Sequence, residues 1–177
     1  MCRVLLTGFM GSGKSVTGEK LAALLSVEFI DLDERVTHLA GRSIEEIFST
    51  QGENVFRKLE SKALTSLPDH SVCALGGGTL MRSENLAWAL KESWLIYLRV
   101  GVKELVRRLH ADQAIRPLLL DSNGARLSIE QMEIKVRNLL RQRESIYHQA
   151  HKVLDMTGVT PELAAAKCRE AYLSRND

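Results

Sequence analysis

Residues 8–15 read GFMGSGKS, which is a complete G-x-x-x-x-G-K-[ST] phosphate loop. The loop follows the apolar run 4–6 and precedes a helical pattern, so it has the strand–loop–helix context that this motif requires. Its glycines allow backbone N–H groups to face phosphate oxygens, and the helix that begins near Lys14 adds the positive end of its dipole. A glycine-rich turn with a chance lysine fits this context poorly, so we predict that the chain binds a nucleoside triphosphate.

Two side chains of this loop have chemistry suited to a nucleotide. Lys14 can reach the outer phosphates, and the hydroxyl of Ser15 can ligate Mg²⁺, which is therefore the expected cofactor. The candidate nucleotide-binding residues of the segment are Gly11, Ser12, Gly13, Lys14, Ser15 and Val16.

Short apolar runs alternate with amphipathic helical patterns along the rest of the chain. The predicted strands are Arg3–Thr7, Glu28–Asp31, Ser71–Leu75, Trp94–Arg99 and Lys152–Asp155. The predicted helices lie at about 14–25, 34–40, 44–50, 53–66, 83–91, 102–110, 128–148 and 161–174. Strands separated by helices predict a parallel sheet covered on both faces, and hence a three-layer α/β/α fold with about five strands. Ligands of such sheets bind beyond the carboxyl ends of the strands.

The size and charge of the chain limit its partners. Its 177 residues predict one domain, and a net charge of +2 is too small to indicate a nucleic-acid or membrane surface. No apolar run approaches the ~18 residues of a membrane span. The cysteines, Cys2, Cys73 and Cys168, are widely spaced and form no C-x-x-C motif, as expected for free thiols in the cytosol. The first strand starts too early for a signal peptide, so we expect a cytoplasmic protein.

A pair of carboxylates, Asp31 and Asp33, ends the second predicted strand. Alternate residues of a strand point the same way, so both can face the phosphate loop. One can then hold Mg²⁺ through water while the other accepts a proton from a substrate hydroxyl. Either residue can instead cap the next helix, which Asp33 directly precedes.

Residues 111–127 match neither a helix nor a strand. They carry turn signals at Arg116-Pro117 and Asn123-Gly124. A connection of this length inside a compact domain is usually a functional lid or a disordered insert. The arginine at its centre favours a lid.

Arg57 follows Glu53 by four residues and precedes Glu60 by three on a predicted helix. This spacing by itself favours an exposed ladder of ion pairs. An arginine oriented by acidic neighbours can instead grip an anionic substrate.

Two features further along the chain predict contacts to a ligand. The run Gly76–Gly78 closes the third strand, where three glycines favour close approach of a ligand over a simple turn. Arg143 lies on or beside the apolar stripe of the long predicted helix at about 128–148. The stripe consists of Ile129, Met132, Val136, Leu139, Leu140, Ile146 and Tyr147. A buried guanidinium needs an anion, which an internal acid, a substrate carboxylate or a phosphate can supply.

Taken in order, these motifs resemble the shikimate kinase family over nearly the whole chain. They are the phosphate loop at 8–15, Asp31-Leu32-Asp33, Phe56-Arg57, Gly76–Gly78, Ile115-Arg116-Pro117-Leu118-Leu119 and Arg143 with Tyr147. The resemblance implies a nucleoside-monophosphate-kinase-like fold in a single domain over 1–177, with substrate-binding helices at about 32–66 and a lid at about 111–127. It also implies transfer of the γ-phosphate of ATP to the 3-hydroxyl of shikimate.

The resemblance assigns roles to individual residues. Asp33 binds the shikimate hydroxyls and acts as the base, while Arg57 and Arg143 grip the carboxylate. Gly77 and Gly78 contact the substrate through their backbones.

On the nucleotide side the resemblance implies that Lys14 and Arg116 act on the transferring phosphate. Ser15 ligates Mg²⁺ with support from Asp31, and Arg108 stacks on the adenine. Phe48 and Phe56 wall the shikimate pocket. The segment 156–158 lacks the arginine that some family members place near the adenine.

Two other kinds of protein are the alternatives. Gluconate kinases and nucleoside monophosphate kinases share the implied fold, but the glycine run and the Phe56-Arg57 pair argue against them. A nucleotide-binding regulator that has lost catalysis is the other alternative, and every matched catalytic position is intact. We expect a monomer whose partners are ATP and shikimate, with no nucleic-acid or membrane partner.

Overall fold

The computed structural model describes residues 3–112, 116–121 and 123–176. In these residues one parallel sheet has the strand order β2-β3-β1-β4-β5. Its members are β1 (Arg3–Thr7), β2 (Glu28–Asp31), β3 (Ser71–Ala74), β4 (Ser93–Arg99) and β5 (Lys152–Asp155). The predicted five-stranded sheet is confirmed, with a shift of one residue at the end of β3 and at the start of β4.

Helices connect successive strands, as parallel pairing requires. The α-helices of the described residues are α1 (Lys14–Leu25), α2 (Leu32–Ala40), α3 (Ile44–Gln51), α4 (Glu53–Thr65), α5 (Ser83–Glu92), α6 (Val102–Ala111), α7 (Ile129–Tyr147) and α8 (Pro161–Leu173). Each lies within two residues of its predicted bounds. Short 3₁₀ turns lie at Thr79–Met81, Pro117–Leu119 and Ser174–Asn176.

The core has two halves, one on each face of the sheet. Val4 and Leu6 of β1 pack in the half that includes α1, α6, α7 and α8, while Leu5 packs in the half that includes α2, α3, α4 and α5. This division follows from the two-residue period of a strand, which sends alternate side chains to opposite faces. The predicted three-layer α/β/α architecture is therefore confirmed.

Side chains cap several helices, and one predicted cap is only half formed. Ser43 accepts the backbone N–H of Glu46 at 3.1 Å, but the return bond of the predicted capping box is absent from this described pair. A complete box forms at α7 instead, between Ser128 and Gln131. The predicted cap at Thr160 is confirmed, with Pro161 as the first helical residue.

One member of the apolar stripe predicted for α7 is wrong. Ile129 is 53% exposed, and its neighbours Glu130 and Gln131 are exposed too, because α7 first reaches the core at Met132. Met132, Val136, Leu140 and Tyr147 are buried as predicted.

Two predictions from the sequence concern residues that lie partly outside the described ones. Cys73 and Cys168 are free and buried, whereas Cys2 lies outside the described residues. In the predicted lid, 113–115 and 122 lie outside them too; Leu120 and Arg126 form an isolated antiparallel bridge. Among the described residues, no helix is both long and apolar enough to cross a bilayer.

Candidate active site

A cavity of about 420 Å³ opens beyond the carboxyl ends of β1, β2 and β3. The phosphate loop, the end of β2, the glycine run and α6 all contribute to its lining. This is the edge at which parallel sheets of this kind bind ligands.

A larger groove, of about 590 Å³, lies at the opposite end of the sheet. There Arg3 pairs with Asp69 at 2.5 Å, and Nδ1 of His151 accepts the backbone N–H of Leu95 at 3.0 Å. These groups are paired within the protein, and the groove is remote from the phosphate loop. We therefore assign the candidate active site to the smaller cavity.

The backbone of the phosphate loop takes conformations that favour glycine. Gly11 and Gly13 have φ angles of 79° and 89°, in the left-handed region. A Cβ atom at Gly8 would lie 2.7 Å from the carbonyl oxygen of Leu98. The glycines of the motif are thus required by both conformation and space.

Lys14 lies inside the phosphate loop. Its Nζ donates to the carbonyl oxygens of Gly8, at 2.9 Å, and Phe9, at 3.1 Å. Burial lowers the pKa of Lys14 to about 8, although the nearby carboxylates of Asp33 and Asp31 oppose the shift. A poorly solvated ammonium in this position is well placed to bind an anion.

Ser15 and Asp31 form the second polar element of the site. The hydroxyl of Ser15 donates to Oδ2 of Asp31 at 2.8 Å. Oδ1 of Asp31 accepts the backbone N–H of Asp33 at 3.0 Å and so caps α2. Asp31 therefore combines two roles that were considered separately from sequence, as a helix cap and as a carboxylate beside Ser15.

Asp33 faces the cavity, but not for the reason predicted. The expectation that it ends β2 is wrong, since β2 ends at Asp31 and Asp33 lies in the first turn of α2. The strand turns into the helix without an intervening loop, so strand alternation does not orient this side chain. Burial raises the pKa of Asp33 to about 6, helped by the negative charges of Asp31 and Glu60.

Arg57 is held by two acids, only one of which is exposed. Its Nε and Nη2 donate to Glu53, while Nη1 donates to Oε2 of Glu60 at 2.8 Å. Glu60 is 1% exposed, so the prediction of an exposed ladder of ion pairs is wrong for the pair formed by Arg57 and Glu60. The guanidinium carbon of Arg57 lies 5.1 Å from the centre of the Phe56 ring. The centre of the Phe48 ring lies 4.8 Å from that of Phe56.

Each glycine of the run 76–78 adjoins a different polar side chain of the site. A Cβ atom at Gly76 would lie 3.1 Å from Oδ1 of Asp33, and one at Gly78 would lie 3.0 Å from Nη2 of Arg57. A Cβ atom at Gly77 would lie 3.4 Å from Nη1 of Arg143. The run therefore lets the backbone approach three candidate substrate-binding groups closely.

Arg143 reaches the same place from α7. Its Nη1 donates to the carbonyl oxygen of Gly77 at 3.3 Å, and the hydroxyl of Tyr147 donates to the same oxygen at 2.5 Å. The guanidinium lies 5.9 Å from the ring of Phe9. Among the described residues no carboxylate forms an ion pair with Arg143, so the internal acid considered from sequence is not found there.

Two arginines line the cavity beside the phosphate loop. Arg108 pairs with Glu104 at 2.7 Å and donates to the carbonyl oxygens of Ser12 and Met156, which links the phosphate loop to the segment after β5. Arg116 pairs with Asp112 at 2.6 Å and lines the cavity. Its charge adds to burial in lowering the pKa of Lys14.

Sequence reasoning missed the importance of two buried polar residues. Glu60 accepts a hydrogen bond from the hydroxyl of Thr79 at 2.7 Å, and both side chains are almost completely buried. A signal for Glu60 was available, because it lies at helical spacing from Phe56, Ala63 and Leu64, which form the inward face of α4. No pattern in the sequence distinguishes Thr79.

The fold and the cavity together define a P-loop phosphotransferase. A phosphate loop follows the central strand β1, and Asp33, Arg108 and Arg116 line the same cavity as this loop. The sequence profile of the shikimate kinase family matches residues 10–172. The chain belongs to the shikimate kinase family.

Individual relatives agree with this assignment. The shikimate kinase of Salinibacter ruber is 43% identical over 155 residues, which cover 86% of this chain and 76% of that protein. That of Chloroherpeton thalassium is 42% identical over 89% of this chain and 84% of its own length.

Solved structures extend the likeness to the fold. The Acinetobacter baumannii shikimate kinase in complex with shikimate superposes with a TM-score of 0.86 at 31% identity, covering 98% of this chain and 94% of that one. The Bacteroides thetaiotaomicron shikimate kinase gives a TM-score of 0.87 at 26% identity, covering 97% and 98%.

Proposed function

We propose that this chain transfers the γ-phosphate of ATP to the 3-hydroxyl of shikimate, giving shikimate 3-phosphate and ADP. One observation carries the proposal for a member of this family: Lys14 and Asp33 line one cavity, and Arg57 and Arg143 adjoin the glycine run 76–78 at its edge. The first group suits a phosphate, the second a hydroxyl, and the arginines a planar carboxylate.

The test is ADP release by the purified protein with shikimate, gluconate, AMP or no acceptor. We expect release that depends on shikimate. Equal release with every acceptor, or release only with gluconate or AMP, would overturn the proposal.

The chemistry that the residues support is a direct phosphoryl transfer. The bond from the γ-phosphorus to the bridging oxygen breaks, a bond to the substrate hydroxyl oxygen forms, and the hydroxyl proton passes to Asp33. Lys14 and Arg116 offset the negative charge on the phosphoryl oxygens. Arg57 and Arg143 hold the acceptor in line, since the reaction depends mainly on positioning.

The residues beside Lys14 fit a magnesium ion. Ser15 offers a hydroxyl oxygen and Asp31 a carboxylate, and Mg²⁺ in such sites binds one or two protein oxygens together with water and phosphates. Among the described residues no group of three His, Cys, Asp or Glu side chains is placed to hold a metal. We propose that Ser15, with Asp31 behind it, holds the Mg²⁺, which when bound offsets phosphate charge.

The two substrate arginines make a prediction that separates them from structural residues. We expect Arg57→Ala and Arg143→Ala to weaken shikimate binding by about 1.5–3 kcal/mol, the scale of a charged hydrogen bond. Shikimate methyl ester, which lacks the anionic carboxylate, should bind wild type far more weakly than shikimate does. Each variant should lose much of this discrimination, measured by isothermal titration calorimetry.

A matched control is Arg137→Ala. Arg137 lies on the same helix as Arg143 but is 56% exposed and pairs with Glu133. This variant should bind both ligands as wild type does. If Arg57→Ala and Arg143→Ala still prefer the acid over the ester as strongly as wild type, neither arginine binds the carboxylate.

We further propose that Arg116 acts from a lid at about 111–127; residues 113–115 and 122 lie outside the described residues, so the support comes from Arg116 in the cavity. Arg116→Ala should lower kcat much more than shikimate affinity, because the contact tightens when the lid closes. Chymotrypsin should cut near Leu118, which is 45% exposed, unless an ATP analogue and shikimate are both bound. Cutting at the same rate in both states would contradict the lid.

The remaining proposals concern the whole protein. We propose that residues 1–177 act as one monomeric kinase domain with substrate-binding helices at about 32–66, and that Arg108 adjoins the adenine. The free thiols of Cys73 and Cys168 support a cytoplasmic location, where thiols stay reduced. Analytical ultracentrifugation tests the monomer.

A further inference from the structure

A buried chain of hydrogen bonds leads from the 3₁₀ turn after the glycine run to Arg57. The hydroxyl of Thr79 donates to Oε1 of Glu60 at 2.7 Å, and Nη1 of Arg57 donates to Oε2 of the same carboxylate at 2.8 Å. Thr79 is 0% exposed and Glu60 is 1% exposed. The two oxygens of one buried carboxylate are thus held by two different partners.

We infer that Thr79 is a positioning residue for the substrate carboxylate, because its hydroxyl fixes Glu60 and Glu60 in turn fixes Arg57. The inference rests on the proposed function, since it concerns how the same arginine meets shikimate. Thr79 itself is not placed in contact with the substrate.

The donors of Arg57 show why the hydroxyl matters. A guanidinium has five N–H groups, and three of those of Arg57 are used, one on Nε and one on Nη2 by Glu53 and one on Nη1 by Glu60. One N–H remains on each terminal nitrogen. With one donor on each terminal nitrogen, the end of the guanidinium can meet the two oxygens of a carboxylate.

Loss of the hydroxyl would change that arrangement. With Oε1 released, the carboxylate of Glu60 can rotate and take a second N–H of Arg57, since a buried oxygen without a partner is unfavourable. The pair of N–H groups left for the substrate would then be incomplete. Thr79 therefore preserves the free fork of Arg57 by keeping one oxygen of Glu60 occupied.

The hydroxyl is well anchored for this role. The backbone N–H of Thr79 donates to the carbonyl oxygen of Gly76 at 3.2 Å, and the side chain of Asn85 donates to the carbonyl oxygen of Thr79 at 2.9 Å. Asn85 is itself 1% exposed. Because hydrogen bonds hold both the N–H and the carbonyl group of Thr79, its hydroxyl keeps the carboxylate of Glu60 in one orientation.

The test compares Thr79→Val, which removes the hydroxyl and keeps the shape, with Thr79→Ser, which keeps the hydroxyl. We expect Thr79→Val to raise the KM for shikimate by about 5- to 20-fold, near the lower limit for one charged hydrogen bond because the contact is misaligned and not removed, with kcat changed by less than about threefold. The KM for ATP should not change. Affinity for shikimate methyl ester should also stay at the wild-type value, and Thr79→Ser should restore the KM for shikimate.

Ser71→Ala is the matched control for a purely structural effect. Ser71 is 2% exposed, and its hydroxyl donates to the carbonyl oxygen of Pro68 at 2.9 Å, at the far end of β3. It should lower the melting temperature while leaving the KM for shikimate unchanged. If Thr79→Val does not fold, Thr79→Ala is measured in its place.

Two results would overturn the inference. One is a wild-type KM for shikimate in Thr79→Val, and the other is an equal loss of affinity for shikimate and for its ester. Failure of the proposed function would look different, because wild type itself would then release no ADP in response to shikimate.

Discussion

Lys14→Ala is expected to lower kcat with shikimate by about 10²–10³-fold, because an oriented charge that meets the phosphoryl oxygens in the transition state contributes about 3–4 kcal/mol. The protein should remain folded, since burial already disfavours the charged ammonium, whose pKa lies at about 8. In wild type, ATP affinity should fall as the pH rises through this value and the ammonium loses its proton. Steady-state kinetics and circular dichroism measure the two effects.

The control for this variant lies on the same helix. Lys20 is half-exposed and pairs with Glu162 of α8 at 3.0 Å, away from the cavity. Lys20→Ala should therefore keep wild-type kcat. A folded Lys14→Ala protein with near-normal kcat would show that Lys14 has only a structural part in the loop.

The second large effect is expected for Asp33→Asn, which keeps the size of the side chain and removes the base. We expect kcat to fall by about 10²–10⁴-fold, the usual range for acid–base catalysis. In wild type, kcat/KM should fall as the pH drops through about 6, the pKa of Asp33, because the protonated carboxyl cannot accept the hydroxyl proton. This acid limb should be absent from the residual activity of the variant.

The stability of Asp33→Asn distinguishes a catalytic carboxylate from a structural one. The pKa of Asp33 is raised from 3.8 to about 6 in the folded state, so the unfolded chain ionises first as the pH rises. Asp33 therefore lowers the free energy of unfolding progressively between about pH 4 and pH 6, and its full penalty remains above that range. At pH 8 the asparagine variant should be more stable than wild type by about 3 kcal/mol, measured by urea denaturation.

The cap explains why no loss of stability is expected. The side chain that caps α2 belongs to Asp31, so replacement of Asp33 leaves the cap in place. A variant that loses stability at pH 8 and keeps its kcat would show that Asp33 is a structural residue. Asp31→Ala, in contrast, should lose about 1 kcal/mol of stability through the lost cap.

Much of the fold follows from local patterns in the sequence. The five strands and eight helices of the described residues were predictable because each carries its own periodicity and its own boundary signals, such as Thr160 followed by Pro161. The phosphate loop identified the end of the sheet at which ligands bind. Family membership was likewise predictable, because the motifs occur in a specific order along the chain.

Errors arose where one local rule competes with another. Strand alternation predicts that Asp33 points the same way as Asp31, but the chain enters α2 at Leu32, and helical geometry then decides where this side chain points. The ladder rule for Arg57 treated Glu53 and Glu60 alike, although α4 presents the first to solvent and turns the second inward. Ile129 fits the apolar period of α7 but lies at the exposed start of the helix, three residues before the buried Met132.

The sequence by itself determined the order of the elements, the phosphate loop and the set of candidate site residues. These depend on contacts between residues close in the chain, which spacing records directly. Only the tertiary structure decided that Glu60 is buried, that Thr79 holds it from 19 positions away, and that Gly77 accepts hydrogen bonds from Arg143 and Tyr147, 66 and 70 positions away. Such partners meet because the sheet and its helices bring distant segments to one edge, and no local period encodes which side chains will face each other there.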